Sequence, residues 1–113
     1  MFVLVAHFRV QGSDSVQIPP EAVEPLALLA ASPDCLRLHF AHSTESAERF
    51  VLVAEFESAA SYRRALAPWP IRMTVIPWLS TAEPQNTEVS EVLFAALDGT
   101  VVVSEPTVPE PGR

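Results

Sequence analysis

The stretch Cys35–Leu66, CLRLHFAHSTESAERFVLVAEFESAASYRRAL, decides the fold. Its first eight residues alternate. Leu36, Leu38 and Phe40 lie on one side, and Cys35, Arg37, His39 and Ala41 on the other, which is the two-residue period of a strand. Ser43–Glu48 is polar turn material, and Arg49–Phe56 (RFVLVAEF) returns with β-branched and aromatic residues, so the two runs read as a hairpin. Glu57–Leu66 then lacks β-branched residues and favours a helix, with Ser58 or Ser61 placed to cap it.

Before this unit, Phe2–Val10 (FVLVAHFRV) has strand composition and neither Gly nor Pro. Phe2, Leu4, Ala6, Phe8 and Val10 share one side, while Val3, Val5, His7 and Arg9 share the other. A helix is expected over Glu21–Ala31, with Val23, Leu26, Ala27 and Ala30 as its apolar stripe; Pro19-Pro20 could open it, while Pro25 is tolerated only if it starts near Val23 or Glu24. After Leu66, Pro68-Trp69-Pro70 breaks the helix. Ile71–Leu79 reads as a short second helical piece or irregular cover interrupted by Pro77. Glu88–Ala95 reads as a fourth strand, Asp98-Gly99 as a turn and Thr100–Ser104 as a short fifth strand.

The order strand, helix, strand, strand, helix, strand is the split βαβ of a ferredoxin-like α+β domain, an antiparallel four-stranded sheet with helices on one face. Several strands are apolar on both sides, so the second face needs a cover, and a second copy of the same sheet is the simplest one. A homodimer through the open sheet face is therefore expected. The domain is expected to span residues 1–104. Residues 105–113 hold Pro106, Pro109 and Pro111 and read as a mobile acidic tail.

Composition narrows the function. The chain has 113 residues, 49% of them hydrophobic, with 14 acidic residues against 7 basic ones and a net charge of −7. All the basic residues are arginine, and the last of the acidity, from Glu83 to Glu110, has no base among it. Phosphate backbones and anionic lipid need clustered cations, so neither nucleic acid nor membrane is an expected partner. A single cysteine, Cys35, excludes an internal disulfide. No apolar run reaches the roughly 18 residues of a membrane helix. The Met1–Phe8 run lacks a basic n-region, and a cytoplasmic protein is expected.

The run FVLVAHFRV, then a helix, then SPDCLRLHFAHS and RFVLVAEFESAASYRRAL resembles the antibiotic biosynthesis monooxygenase domain, over residues 2–95. The stretch from Phe56 through Leu79 is the closest part and resembles actinobacterial members, which read W-E-S-x-x-A-Y-R-R-A-L at its start. The resemblance implies a dimeric α+β barrel. It also implies chemistry on an aromatic, polyketide-like or quinol substrate by a cofactor-free monooxygenase. The family's quinone-forming oxygenases carry a tryptophan at the end of the third strand, a tyrosine six residues later and an asparagine four residues before that tryptophan. Tyr62 matches the tyrosine, whereas Phe56 and Leu52 replace the other two. Haem-degrading members carry an asparagine where His7 stands and a histidine ligand in the second helical region, and residues 57–82 contain no histidine. No cofactor is expected.

His7 and Tyr62 are the catalytic candidates. A histidine titrates near neutral pH and can take a proton from a phenol, whose anion then reduces dioxygen. His7, Arg37 and His39 are expected on the middle strands of the sheet, and their alternative reading is a set of half-exposed sheet residues meeting a partner protomer. Arg37, His39, Phe56, Trp69, Met73 and Trp78 are the candidate pocket residues, the aromatics among them being suited either to a flat apolar ligand or to plain core filling. Cys35 beside Asp34 is no nucleophile candidate. His39 and His42 face opposite ways on one strand, so no metal site is expected. The second functional class is a dimeric barrel that binds a small apolar ligand, or none, without catalysis.

Overall fold

The computed structural model describes residues 1–12, 17–83 and 87–107. The chain runs β1 (Phe2–Arg9), α1 (Pro20–Ala30), β2 (Cys35–His42), β3 (Arg49–Phe56), α2 (Ala59–Leu66), α3 (Trp69–Leu79), β4 (Glu88–Glu91), β5 (Phe94–Leu97) and β6 (Thr100–Val103). Four strands form one antiparallel sheet in the order β2-β3-β1-β4, and β5 pairs with β6 alone. This is the ferredoxin-like α+β arrangement that the sequence order implies. The two central strands are β1 and β3. β2, which carries Arg37 and His39, is an edge strand and not a middle one.

Alternation decides which face is covered. Leu4, Ala6 and Phe8 of β1 and Phe50, Leu52, Ala54 and Phe56 of β3 are all buried, and the helices close over them with Ala22, Leu26, Leu29, Ala65 and Trp78. Each fully buried large side chain here contributes about 1.5–3 kcal/mol. The opposite face holds Val3, Val5 and His7 of β1 and Val51, Val53 and Glu55 of β3, none of them fully buried. No described element lies across it.

Several local readings are corrected. α1 opens at Pro20, as Pro19-Pro20 allows, and not at Val23 or Glu24, so Pro25 sits inside it. Its buried stripe is Ala22, Pro25, Leu26 and Leu29. Val23 is instead exposed. Both stripes satisfy the spacing of three and four, and the larger apolar load of Pro25, Leu26 and Leu29 selects the second. α3 is continuous, because Pro70 occupies the first turn, where its missing N–H costs nothing, and Pro77 lies near the end. In β2 a bulge falls between Cys35 and Arg37. It leaves Leu36 unpaired and more than half exposed, off the Leu38–Phe40 side. The run expected as one strand from Glu88 is broken at Val92-Leu93. Beyond the break the chain forms the β5–β6 hairpin, turned by Asp98 (φ 51°) and Gly99 (φ 80°). Two successive positive-φ residues make the type I′ turn expected of Asp-Gly. At the C-terminal end, the backbone N–H of Thr107 donates to the Glu91 carboxylate at 3.0 Å. The rest of the expected tail, 108–113, lies outside the described residues.

Candidate functional site

All the candidate residues but Trp69 fall into three separate places. The first is the uncovered sheet face. His7 pairs in register with Val51, and His39 with Val53. Both imidazoles are exposed and share this face with Arg37. β3 runs between them, however, and their register is offset by two residues, so the two histidines stand about 12 Å apart. Arg37 is engaged by Glu55 at 3.6 Å.

The second place is the covered face near the start of β1. The Phe56 and Tyr62 rings meet edge to face at 5.2 Å. Phe56 is wholly buried. Tyr62 is positioned by α2, whose start is fixed by Ser58: its Oγ accepts a hydrogen bond from the Ser61 N–H at 3.0 Å. Burial raises the Tyr62 hydroxyl above its usual range, so it stays protonated at neutral pH, able to donate a hydrogen bond but no base. Arg64, on the same helix, reaches Asp34 at 3.1 Å and Ser61 Oγ at 3.1 Å, tying α2 to the start of β2. Arg64 therefore acts as a tether. The thiol of Cys35 is also raised, chiefly by burial and further by the Glu55 carboxylate, against a backbone hydrogen bond at Arg37 that lowers it. Such a thiol is a poor nucleophile.

The third place is the other end of the covered face, where the layer opens into a cleft of about 600 Å³ between α1 and α3. Its floor is aromatic. Trp78 stacks on Phe8 with ring centres 4.4 Å apart and planes 9° from parallel. Phe40 tilts against both, at 6.1 Å from Phe8 and 5.9 Å from Trp78, and stacks on Phe50 at 5.4 Å. Pro19, Pro20, Ala22 and Pro25 of the α1 region form one lip, and Met73, Thr74, Pro77 and Thr81 form the other. Glu21, Glu24 and Arg9 stand at the rim, Arg9 paired with Glu48 at 3.7 Å. Of the residues proposed for a pocket, Met73 and Trp78 line this cleft. Trp69 does not: it lies at the far end of α3, roughly 13 Å along the axis at 1.5 Å per residue, and is 68% exposed.

Sequence reasoning placed Phe8 among core residues and passed over Phe40 and Thr74 as cleft residues. The available signal for Thr74 was its position four residues before Trp78, which puts both on one helix face. Among the described residues no group of three or more His, Cys, Asp or Glu side chains converges in a way that could hold a metal ion. No described helix is long and apolar enough to cross a membrane.

The model of the antibiotic biosynthesis monooxygenase family matches residues 1–67, from β1 through α2. The chain belongs to that family. Solved structures agree on the fold. One antibiotic biosynthesis monooxygenase superposes with a TM-score of 0.59 at 16% identity, covering 94% of this chain and all of the other. SnoaB, a cofactor-independent oxygenase from Streptomyces nogalater, gives a TM-score of 0.58 at 19% identity over 96% of this chain and 97% of its own. A conserved protein from Methanosarcina mazei Go1 gives 0.52 at 18% identity over 79% and 87%. No curated protein matches the chain in sequence. The matched segment holds β1, α1, β2, β3 and α2, while the α3 side of the aromatic cleft lies beyond it.

Proposed function

We propose that this chain is a monooxygenase-like enzyme that takes a flat aromatic, polyketide-like or quinol molecule into the cleft between α1 and α3 and oxidises it without a bound cofactor. The observation that carries the reading is the aromatic floor of Phe8, Phe40 and Trp78 in a member of this family. A slab of rings under an apolar cleft suits stacking with a planar ligand. Ionisation of the ligand's own hydroxyl makes the ring electron-rich enough to reduce dioxygen. In an anthrone-like ligand one oxygen atom enters at the ring CH2 carbon as a carbonyl, and that carbon's two hydrogens leave with the other oxygen as water; a hydroquinone, which has no such carbon, would pass two electrons and two protons to dioxygen, giving quinone and hydrogen peroxide.

The two catalytic candidates serve this reading unequally. Tyr62, held protonated, suits a donor role near Phe56 but does not line the cleft. His7 stands beyond the sheet and reaches only a ligand bound on the uncovered face. Oxygen uptake with anthrone-like and hydroquinone substrates tests the proposal, with His7→Ala as the deciding variant. Uptake that survives the substitution supports the cleft. Uptake that disappears with it moves the chemistry to the uncovered face, and no uptake from any substrate rejects the enzyme reading. A second reading, ligand binding without turnover, is favoured by Phe56 and Leu52, which replace the tryptophan and asparagine of the quinone-forming oxygenases.

We further propose that the working form is a homodimer closed over the uncovered face, in a reducing, cytoplasmic setting suited to the free Cys35. The β5–β6 hairpin supports the dimer. Phe94, Leu97, Val101, Val102 and Val103 are each more than half exposed, and a two-stranded hairpin is barely stable alone in water. Between it and the sheet lies a groove of about 640 Å³, lined by Leu36, Arg37 and Glu55 on one side and Leu97 and Val102 on the other. Sedimentation velocity at micromolar concentration should show a dimer, and a monomer there rejects this arrangement.

A further inference from the structure

Two hydrogen-bonding side chains in the cleft are uncommitted. Trp78 is 8% exposed. Its indole N–H finds no acceptor among the described residues, yet it is not a buried unsatisfied atom. The small exposed part of Trp78 therefore includes that nitrogen, and the opening Trp78 lines is the cleft. Thr74 also lines the cleft, is half-buried and has no partner for its hydroxyl among the described residues. The two residues are one turn apart on α3, so both groups serve the same stretch of wall. Pro77 adds an acceptor: having no N–H, it deprives the Met73 carbonyl of its usual helical donor at the same lip.

Charge at the rim selects further. Arg9 is taken up by Glu48, which leaves Glu21 and Glu24 as unbalanced carboxylates at the mouth. An anionic ligand meets repulsion there and has no free cation to answer it.

Resting on the cleft reading above, we infer that the ligand is a neutral planar aromatic carrying an oxygen, and that Trp78 and Thr74 are its positioning residues. The ring lies against the aromatic floor. The oxygen accepts from the Trp78 N–H and exchanges a hydrogen bond with the Thr74 hydroxyl. The same two contacts strengthen as charge builds on that oxygen during ionisation, because bonds to charged acceptors are about twice as strong as neutral ones.

Equilibrium dialysis with three probes tests this: 1-naphthol, naphthalene, which has no oxygen, and 1-naphthoate, which is anionic. 1-Naphthol should bind most tightly. Trp78→Phe keeps a ring of similar shape and Thr74→Val keeps the volume. Each should weaken 1-naphthol about fivefold, the worth of one ordinary hydrogen bond, and leave naphthalene within a factor of two. Equal weakening of both probes would mean that the side chains only shape the wall, and the inference falls. Naphthoate bound as tightly as naphthol overturns the neutral-ligand claim. Failure of all three probes to bind removes the cleft reading as well, whereas intact, variant-sensitive naphthol binding without oxygen uptake leaves this inference standing and removes only the enzyme.

Discussion

The two faces of the β2-β3-β1-β4 sheet are built from the same strands and have opposite fates. On one face Leu4, Ala6, Leu52, Ala54 and Phe56 are sealed to 2% exposure or less beneath three helices. On the other, the valines at 3, 5, 51 and 53 alternate with His7, Arg37, His39 and Glu55, and all remain within reach of solvent. The covered face derives its stability from burial within one chain. The uncovered face gains the same kind of stabilisation only when another surface arrives, so its contribution depends on concentration. The contrast also separates functions. The aromatic cleft is a gap at the end of the covered layer, while the histidines belong to the face where a partner is expected.

The largest effect should come from the covered face. Leu52→Ala removes a side chain with no exposed surface, and the cavity left behind should cost about 3 kcal/mol or more in denaturant unfolding. Val53→Ala, one residue along and on the other face, should cost under about 1 kcal/mol in dilute protein, as a partly exposed valine can lose only part of its burial energy. Similar losses at both positions in the dilute protein would mean that the uncovered face is already packed within one chain. Val53→Asp is the sharper form. It should leave the circular dichroism of the monomer intact but abolish the dimer in sedimentation, because the carboxylate would be desolvated against apolar strands. A dimer that tolerates the Val53→Asp substitution places its interface elsewhere.

Much of this contrast was legible in the sequence. The alternation of FVLVAHFR and RFVLVAEF assigns every residue of β1 and β3 to its correct face, and the excess of valine on the second face signals a missing cover. β2 was less legible, since a bulge is a register event with no fixed residue signature, and it moved Leu36 off its expected side. The stripe of α1 was misassigned because two stripes fit the same helical period, and only the sheet it meets chooses between them. The cleft was the least legible part. Phe8, Phe40 and Trp78 come from two strands and a helix far apart in sequence, and each reads locally as core. Their convergence is a property of the tertiary structure alone, as is the separation of His7 from Tyr62 by the thickness of the sheet.

A smaller effect is expected at the layer edge, where α2 is anchored to the covered face. Ser58→Ala deletes the side-chain oxygen that accepts from the Ser61 N–H, and an N-cap loss of this kind costs about 1 kcal/mol. Ser58→Asp should restore most of it, because a carboxylate accepts the same bond and favours the helix N-terminus. If neither variant shifts the unfolding midpoint, α2 is held by the Arg64–Asp34 tether and not by its cap.

The smallest effect is a pH dependence confined to the covered face. Burial raises the Tyr62 hydroxyl above its ordinary value, which is about 10 in an unfolded chain. Below that pH both states hold the proton and stability is unaffected. As pH rises past about 10 the unfolded chain releases its proton first, so the folded state binds more protons than the unfolded one and stability falls until the folded hydroxyl also ionises. Tyr62→Phe should therefore match the parent near pH 8 and lose less stability between about pH 10 and 11. The comparison belongs in a Cys35→Ala background, because the thiol is raised by the same burial and its loss begins earlier, near pH 9. Identical alkaline limbs for the parent and Tyr62→Phe would mean that the ring edge against Phe56 leaves the hydroxyl itself in water, and that Tyr62 marks the border of the covered face and not its interior.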